Sequence, residues 1–283
     1  MTGDLLERIA EEFSPRRNEQ AAPEGTLPVS LRSVEHVYSG TAADVPALGP
    51  IDLQIDAGEF VTVVGPSGCG KTTLLQLLAG FIEPTHGVVE VGGAQVTGPS
   101  PERGVVFQQP NLFPWFSVRE NIALGLRYRG VAKKERREIA DRYIDLVGLD
   151  GFGDAATYEL SGGMQQRTQI ARVLAAEPDL LLLDEPFGAL DALTRERLQQ
   201  ELHEIWLKTR RTSLFITHSV DEAVYLGTRV IVLSQRPGVV VFDAKPPFDP
   251  GRRKRGLRSS TEFAAFRQRV VRAIGRELEA AYE

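Results

Sequence analysis

The chain has 283 residues, of which 42% are hydrophobic and 25% charged, ordinary values for a folded protein of one large or two small domains. Its formal net charge of −5 gives no global basis for binding nucleic acid. A single cysteine excludes an intrachain disulfide and Cys-based zinc patterns, which suits a reducing compartment, and the longest apolar runs, such as Leu180 to Leu183 and Val230 to Leu233, are too short to cross a bilayer.

Residues 1 to about 28 read as an extension. MTGDLLERIAEEF is acidic and lacks the basic-then-apolar order of a signal peptide, and Leu5, Leu6, Ile9 and Phe13 share one face of a short predicted helix. From Leu31 the pattern turns strand-like. Ile51, Leu53 and Ile55 alternate, and Phe60 to Val64 is a continuous β-rich run ending at a glycine. TTLLQLLAG predicts a helix closed by Gly80, and GVVEV and GVVF predict short strands.

Between Asn111 and about Leu160 the strand signal disappears. Ser117 to Glu120 fits a capping box, and Ile139, Tyr143 and Val147 recur at helical spacing. Strands return with LLLLDEP, SLFIT and RVIVL. The expectation is an α/β domain over residues 29–240, interrupted by a helical insert at about 111–175. A tail at 241–283 follows. Its basic run, Arg252 to Arg258, reads as solvated. Phe263, Phe266, Val270, Ile274 and Leu278 fall on one helical face, expected to pack on its own domain, with a subunit contact as the alternative.

The chemistry concentrates in a few strings. Gly65, Pro66, Ser67, Gly68, Cys69, Gly70, Lys71 and Thr72, followed by Thr73, match the phosphate loop G-x-x-x-x-G-K-[ST], with a strand before and a helix after. The glycines let backbone N–H groups turn toward phosphates, and the helix N-terminus adds its positive end. Lys71 is expected at the β- and γ-phosphates and the Thr72 hydroxyl on Mg²⁺. Cys69, beside these donors and two residues from Lys71, is expected to carry a lowered pKa and to react readily.

LLLLDEP delivers two carboxylates at the end of a strand buried on both faces. Asp184 is expected to hold Mg²⁺ and Glu185 to accept a proton from attacking water. Gln108 ends the VVFQQ strand where the insert begins, placed to contact Mg²⁺ or that water. His218 ends LFITHS, a strand expected beside the Asp184 strand, within reach of the γ-phosphate. A second phosphate-reading turn, LSGGMQQR, sets Ser161, Gly162 and Gly163 at a helix start far from the loop.

Phosphate loop, Gln108, LSGG, LLLLDEP, GALD and THS stand in the order and approximate spacing of ABC-type ATPase subunits, and the chain resembles that family from about Leu31 to Ser234. LSGG is the most specific piece. The resemblance implies an α/β phosphate-loop core with a parallel central sheet, an N-terminal antiparallel β subdomain and an inserted α-helical subdomain. It also implies a head-to-tail dimer, in which the Ser161 turn of one subunit faces the nucleotide held by the other. That answers why one chain carries two phosphate-reading elements. Asp191, in GALD, joins the nucleotide-contacting set, and Tyr38 matches the family's adenine-stacking aromatic, the alternative being a plain strand-end tyrosine.

NLFPWFSVRENIALGL, LSGGMQQR, FGALDALTR and VLSQRPGVVV resemble most the nitrate/sulfonate/taurine importer ATPases. Met164 replaces the commoner Gln of LSGGQ and Gly188 the commoner Ser of SALD, as in related importer subunits. The implied cofactors are ATP and Mg²⁺. The implied partners are a second copy, transmembrane permease subunits and an extracytoplasmic solute-binding protein, with the subunit peripheral on the cytoplasmic face of the membrane. Leu112, Phe113 and Trp115 are the expected permease anchors, the alternative being a hydrophobic core of the insert. Two other functions also use a phosphate loop. One is a soluble ABC ATPase acting on nucleic acid or ribosomes, against which stand the single phosphate loop and the short insert. The other is a small-molecule phosphotransferase, which has no use for LSGG.

Overall fold

The structure, a computed structural model, describes residues 26–40, 43–249 and 256–279, with the backbone alone beyond residue 277. The predicted helix at Leu5 to Phe13 and most of the basic run lie outside these residues, as does the Leu278 side chain.

Six strands form the central sheet in the order β10-β9-β3-β8-β7-β6: β3 (Phe60–Val64), β6 (Arg103–Val106), β7 (Leu180–Asp184), β8 (Thr212–Ile216), β9 (Arg229–Leu233) and β10 (Val240–Ala244). Every neighbouring pair is parallel except β10, which runs antiparallel along the β9 edge. FVTVV, LLLLD and TSLFI are buried at all positions, as continuous apolar runs covered on both faces require. Because β3, β6, β7 and β8 are parallel, they end at one edge. Their exits carry the phosphate loop, Gln108, Glu185 and His218. Ligand sites of open α/β sheets form at that edge.

A second sheet is antiparallel, in the order β2-β1-β4-β5: β1 (Val29–Tyr38), β2 (Val45–Ile55), β4 (His86–Val91) and β5 (Ala94–Gln95). The alternation read in β2 holds: Ile51, Leu53 and Ile55 are buried while Asp52 and Gln54 are exposed. Helix α1 (Lys71–Ala79) packs between the sheets. Leu48, Ile51, Leu74, Leu78, Leu182 and Ile216 share that core. Gly80 closes α1 in the left-handed conformation, its N–H donating to Leu77 and that of Phe81 to Gln76.

Helices α2 (Val118–Tyr128), α3 (Lys133–Leu146) and α4 (Gly162–Ala175) form the insert between β6 and β7. The Ser117–Glu120 capping box is formed in both directions. Helices α5 (Ala192–Thr209) and α6 (Val220–Leu226) alternate with the remaining strands, and α7 (Thr261–Glu279) lies in the tail. A second core joins these helices to the sheet through Phe60, Ile122, Ile170, Phe187, Phe215 and Phe266. Full burial of each such side chain is worth roughly 1.5–3 kcal/mol. Phe263, Phe266 and Val270 of α7 are buried in that same core. Arg258 stays exposed, as a solvated run would have it, but its guanidinium is also held by residues of α5 and α6.

Candidate active site

The loop after β3 turns on glycines. Gly68 and Gly70 have φ of 75° and 97°, and a Cβ at Gly70 would lie 2.5 Å from Leu48 Cδ2 and 2.7 Å from the Ala47 carbonyl oxygen, so only glycine fits. Gly70 caps α1 without a side-chain acceptor, which leaves the first-turn N–H groups available to an anion. Lys71 is folded back: its Nζ donates to the carbonyls of Gly65 (2.9 Å) and Pro66 (2.8 Å). The ammonium is thereby fixed inside the loop.

The carboxylates stand opposite. Thr72 Oγ1 donates to Asp184 Oδ2 at 2.9 Å, joining the start of α1 to the end of β7. Asp184 is only 5% exposed, and burial pushes its carboxyl pKa up. The Thr72 hydrogen bond opposes that shift, Glu185 adds to it and Lys71 opposes it. A carboxylate and a hydroxyl at this distance, with the charge held in a low-dielectric position, form a donor set suited to a hard divalent cation. Glu185 follows in the left-handed region (φ 45°), a costly conformation for a non-glycine residue, on the order of 1–3 kcal/mol. Its N–H donates to the Ile216 carbonyl (3.0 Å), which aims the side chain away from the sheet. There Glu185 Oε2 lies 3.4 Å from Gln108 Nε2 and 3.2 Å from His218 Nδ1.

Ser67 to Thr73, Tyr38, Gln108, Glu185 and His218 line one cleft of about 320 Å³. The Tyr38 hydroxyl lies 3.2 Å from both Thr73 Oγ1 and Gln76 Oε1, and its ring is 40% exposed at the end of β1. Ser161, Gly162, Gly163 and Asp191 do not line this cleft. Ser161 caps α4, accepting from the Met164 N–H (3.3 Å), and Asp191 caps α5, accepting from the Thr194 N–H (3.0 Å), which holds its carboxyl below the usual range.

A sequence model described as ABC transporter matches residues 48–188. A Brucella abortus (strain 2308) protein, named for ATP binding, is 53% identical over 247 residues, covering 87% of this chain and 93% of that one. The taurine import ATP-binding protein TauB of Roseobacter denitrificans is 48% identical over 233 residues, 81% of this chain and 87% of that one. The solved dimer of the ATP-binding cassette MJ0796, in a post-hydrolysis state with ADP and Pi, superposes with a TM-score of 0.71 at 33% identity, over 77% of this chain and 98% of that one.

The chain belongs to the ABC transporter ATP-binding family. It is an ATPase with the α/β cassette fold, and the cassette relatives dimerise. No helix among the described residues is long and apolar enough to cross a membrane.

Two features of this ABC cleft depart from the sequence reading. Arg236, in the loop after β9, also lines it, although nothing in SQRPG marks that residue as a nucleotide neighbour. Cys69 is the correction. Its thiol is 1% exposed and turned inward, 3.6 Å from Lys71 Nζ, and burial pushes its pKa up while Lys71 opposes the shift. Desolvation outweighs the cation, so the expectation of a lowered pKa fails.

Proposed function

We propose that this subunit is the ATP-hydrolysing motor of an importer for taurine or a similar small anion, such as another sulfonate or nitrate. The observation that carries the catalytic part is the meeting of Glu185 with Gln108 and His218 at the mouth of the phosphate-loop cleft. The relatives named for taurine import support the transport part.

In this reading Lys71 and the N–H groups of Ser67 to Thr73 bind the β- and γ-phosphates, with Gly65 and Pro66 completing the loop, and Tyr38 stacks on adenine. Thr72 and Asp184, with Gln108 beside them, would hold Mg²⁺, which supplies charge neutralisation at the phosphates. Glu185 orients water and accepts its proton as the water oxygen bonds to the γ-phosphorus and the bond to ADP breaks. His218 contacts the γ-phosphate and keeps Glu185 aimed. Ser161, Gly162, Gly163 and Asp191, which lie off their own chain's cleft, complete the partner's site in a head-to-tail dimer. Residues 29 to about 240 form the ATPase domain, its sheet edged by β10 at the start of the 241–283 tail, with 1–28 an extension.

The permease anchor fits the turn before α2. Trp115 is 71% exposed, while Leu112 and Phe113 are half-buried. Asn121 is fully buried and ties that turn down, accepting from the Phe113 N–H and donating to the carbonyls of Phe113, Phe116 and Ser117. An indole held out on a pinned turn is a suitable contact for a permease helix at the cytoplasmic face of the membrane, with a solute-binding protein completing the system. Uptake of labelled taurine by cells with and without an intact copy of this chain tests the reading. Loss of uptake on deletion, restored by the wild type and not by Trp115→Ala, is expected. Unchanged uptake of taurine, other sulfonates and nitrate contradicts it.

A further inference from the structure

A line of polar side chains, buried except for Arg258 at its start, runs from the tail to the turn that carries His218. Thr217 is 1% exposed, and its hydroxyl donates to Glu222 Oε2 at 2.5 Å while accepting from the Ser219 N–H at 3.0 Å. The Glu222 N–H donates to Ser219 Oγ (3.3 Å), so the turn on either side of His218 is fastened to the first turn of α6. The other carboxylate oxygen of Glu222 accepts from Gln199 Nε2 on α5 at 3.0 Å, and Arg195 stands 3.9 Å from it. Gln199 is 2% exposed, and its amide oxygen accepts from Arg258 Nη2. The Arg258 guanidinium lies 4.3 Å from the centre of the Tyr225 ring on α6 and 3.9 Å from Glu196 on α5.

Each link fixes the next. An amide has one acceptor end and one donor end, and Gln199 has a guanidinium on the first and a carboxylate on the second. Without Arg258 that orientation loses one of its two fixings, and a turned amide would set oxygen against the Glu222 carboxylate. Glu222 would then hold Thr217 less firmly, and His218 follows Thr217 directly. Buried polar chains of this kind are either fully satisfied and rigid or costly and loose.

We propose that Arg258 is a positioning residue for ATP hydrolysis: through Gln199, Glu222 and Thr217, the tail holds the turn that keeps His218 against Glu185. The proposal rests on the reading of His218 as a group at the γ-phosphate. It makes the tail a tuner of turnover. A small displacement of a positioned group can cost up to about 10²-fold in rate, and a loosened turn should cost part of that.

The test is single-turnover ATP hydrolysis by the full-length chain as wild type, Arg258→Ala, Arg258→Lys, His218→Ala and the Arg258→Ala/His218→Ala double variant. Expected is a loss of roughly 3- to 30-fold in maximal rate for Arg258→Ala, with half-saturation by ATP unchanged. Most of the rate should return in Arg258→Lys, and there should be no further loss from Arg258→Ala once His218 is alanine. A merely structural arginine would show the same loss in both backgrounds, and that result overturns the proposal, as does a wild-type rate in Arg258→Ala. If His218→Ala itself hydrolyses at the wild-type rate, the reading of His218 falls first and the proposal with it. Should Arg258→Ala not fold, Gln199→Met breaks the same chain, and the same comparison with His218→Ala decides.

Discussion

The Nδ1 of His218 lies 3.2 Å from Oε2 of Glu185, across the ends of two adjacent parallel strands. A carboxylate so placed, in a strained backbone position and beside Gln108, is suited to take one proton from one water. Glu185→Gln preserves shape and removes the base. It is expected to bind ATP like the wild type and to hydrolyse it ~10²–10⁴-fold more slowly. Parallel measurements of nucleotide binding and phosphate release check this, and near-normal release would remove Glu185 from its role.

Asp184 illustrates a site that costs its own fold. Burial raises its carboxyl pKa in the folded protein. The folded state therefore holds that proton to higher pH than the unfolded chain does, and stability falls as pH rises between the two values. Above that window the buried carboxyl counts against folding. Asp184→Asn keeps an oxygen for the Thr72 hydroxyl and drops the charge. In buffer free of nucleotide and divalent cations it should melt higher than the wild type at pH 7, with the gain shrinking below pH 4, while ATP hydrolysis is lost. A lower melting temperature at pH 7 would show that the charge contributes to the fold.

Asp145 makes a similar case away from the cleft. It sits in the last turn of α3, where the helix dipole already disfavours a negative charge. Its pKa is pushed up to about 6, first by partial desolvation of an otherwise exposed carboxyl, then by a hydrogen bond with Asp150 and repulsion from Asp150 and Asp141. Stability is expected to fall between pH 4 and 6 on this account. Because the side chain is largely in solvent, Asp145→Asn should restore only about 0.5–1 kcal/mol at pH 7 and nothing near pH 4. Denaturant midpoints at the two pH values report it.

Cys69 marks where reading the sequence reaches its limit. Phosphate loop, strand ends and carboxylates are legible because they depend on local spacing: a buried run, a turn, a helix start. Which way the Cys69 side chain turns depends on packing: its sulfur lies against Gly65, while Leu48 and Gly238, both distant in sequence, pack on the loop from behind. Arg236 is illegible for the same reason, since only the fold brings the loop after β9 to the cleft. Arg258 is a third case: a basic run looks solvated until α5 and α6 are seen beneath it. With the thiol buried, maleimide should label the native protein slowly and the unfolded chain quickly. Equal rates would mean that Cys69 is exposed.

In the proposed head-to-tail dimer two copies share each ATP site, with Ser161 of one facing the phosphate loop of the other. Lys71→Ala and Ser161→Arg subunits are each expected to form homodimers in which both sites are damaged. Mixed together, they place both lesions in one site and leave the other whole, so activity should reappear at about half the wild-type rate per mixed dimer if the two sites act independently. A mixture of wild-type subunits with subunits carrying both lesions has each site damaged once in every mixed dimer, which should therefore be inactive. Hydrolysis by the first mixture above the sum of its separate components is expected if the sites are shared. No recovery in that mixture, with mixed dimers demonstrably formed, would contradict it.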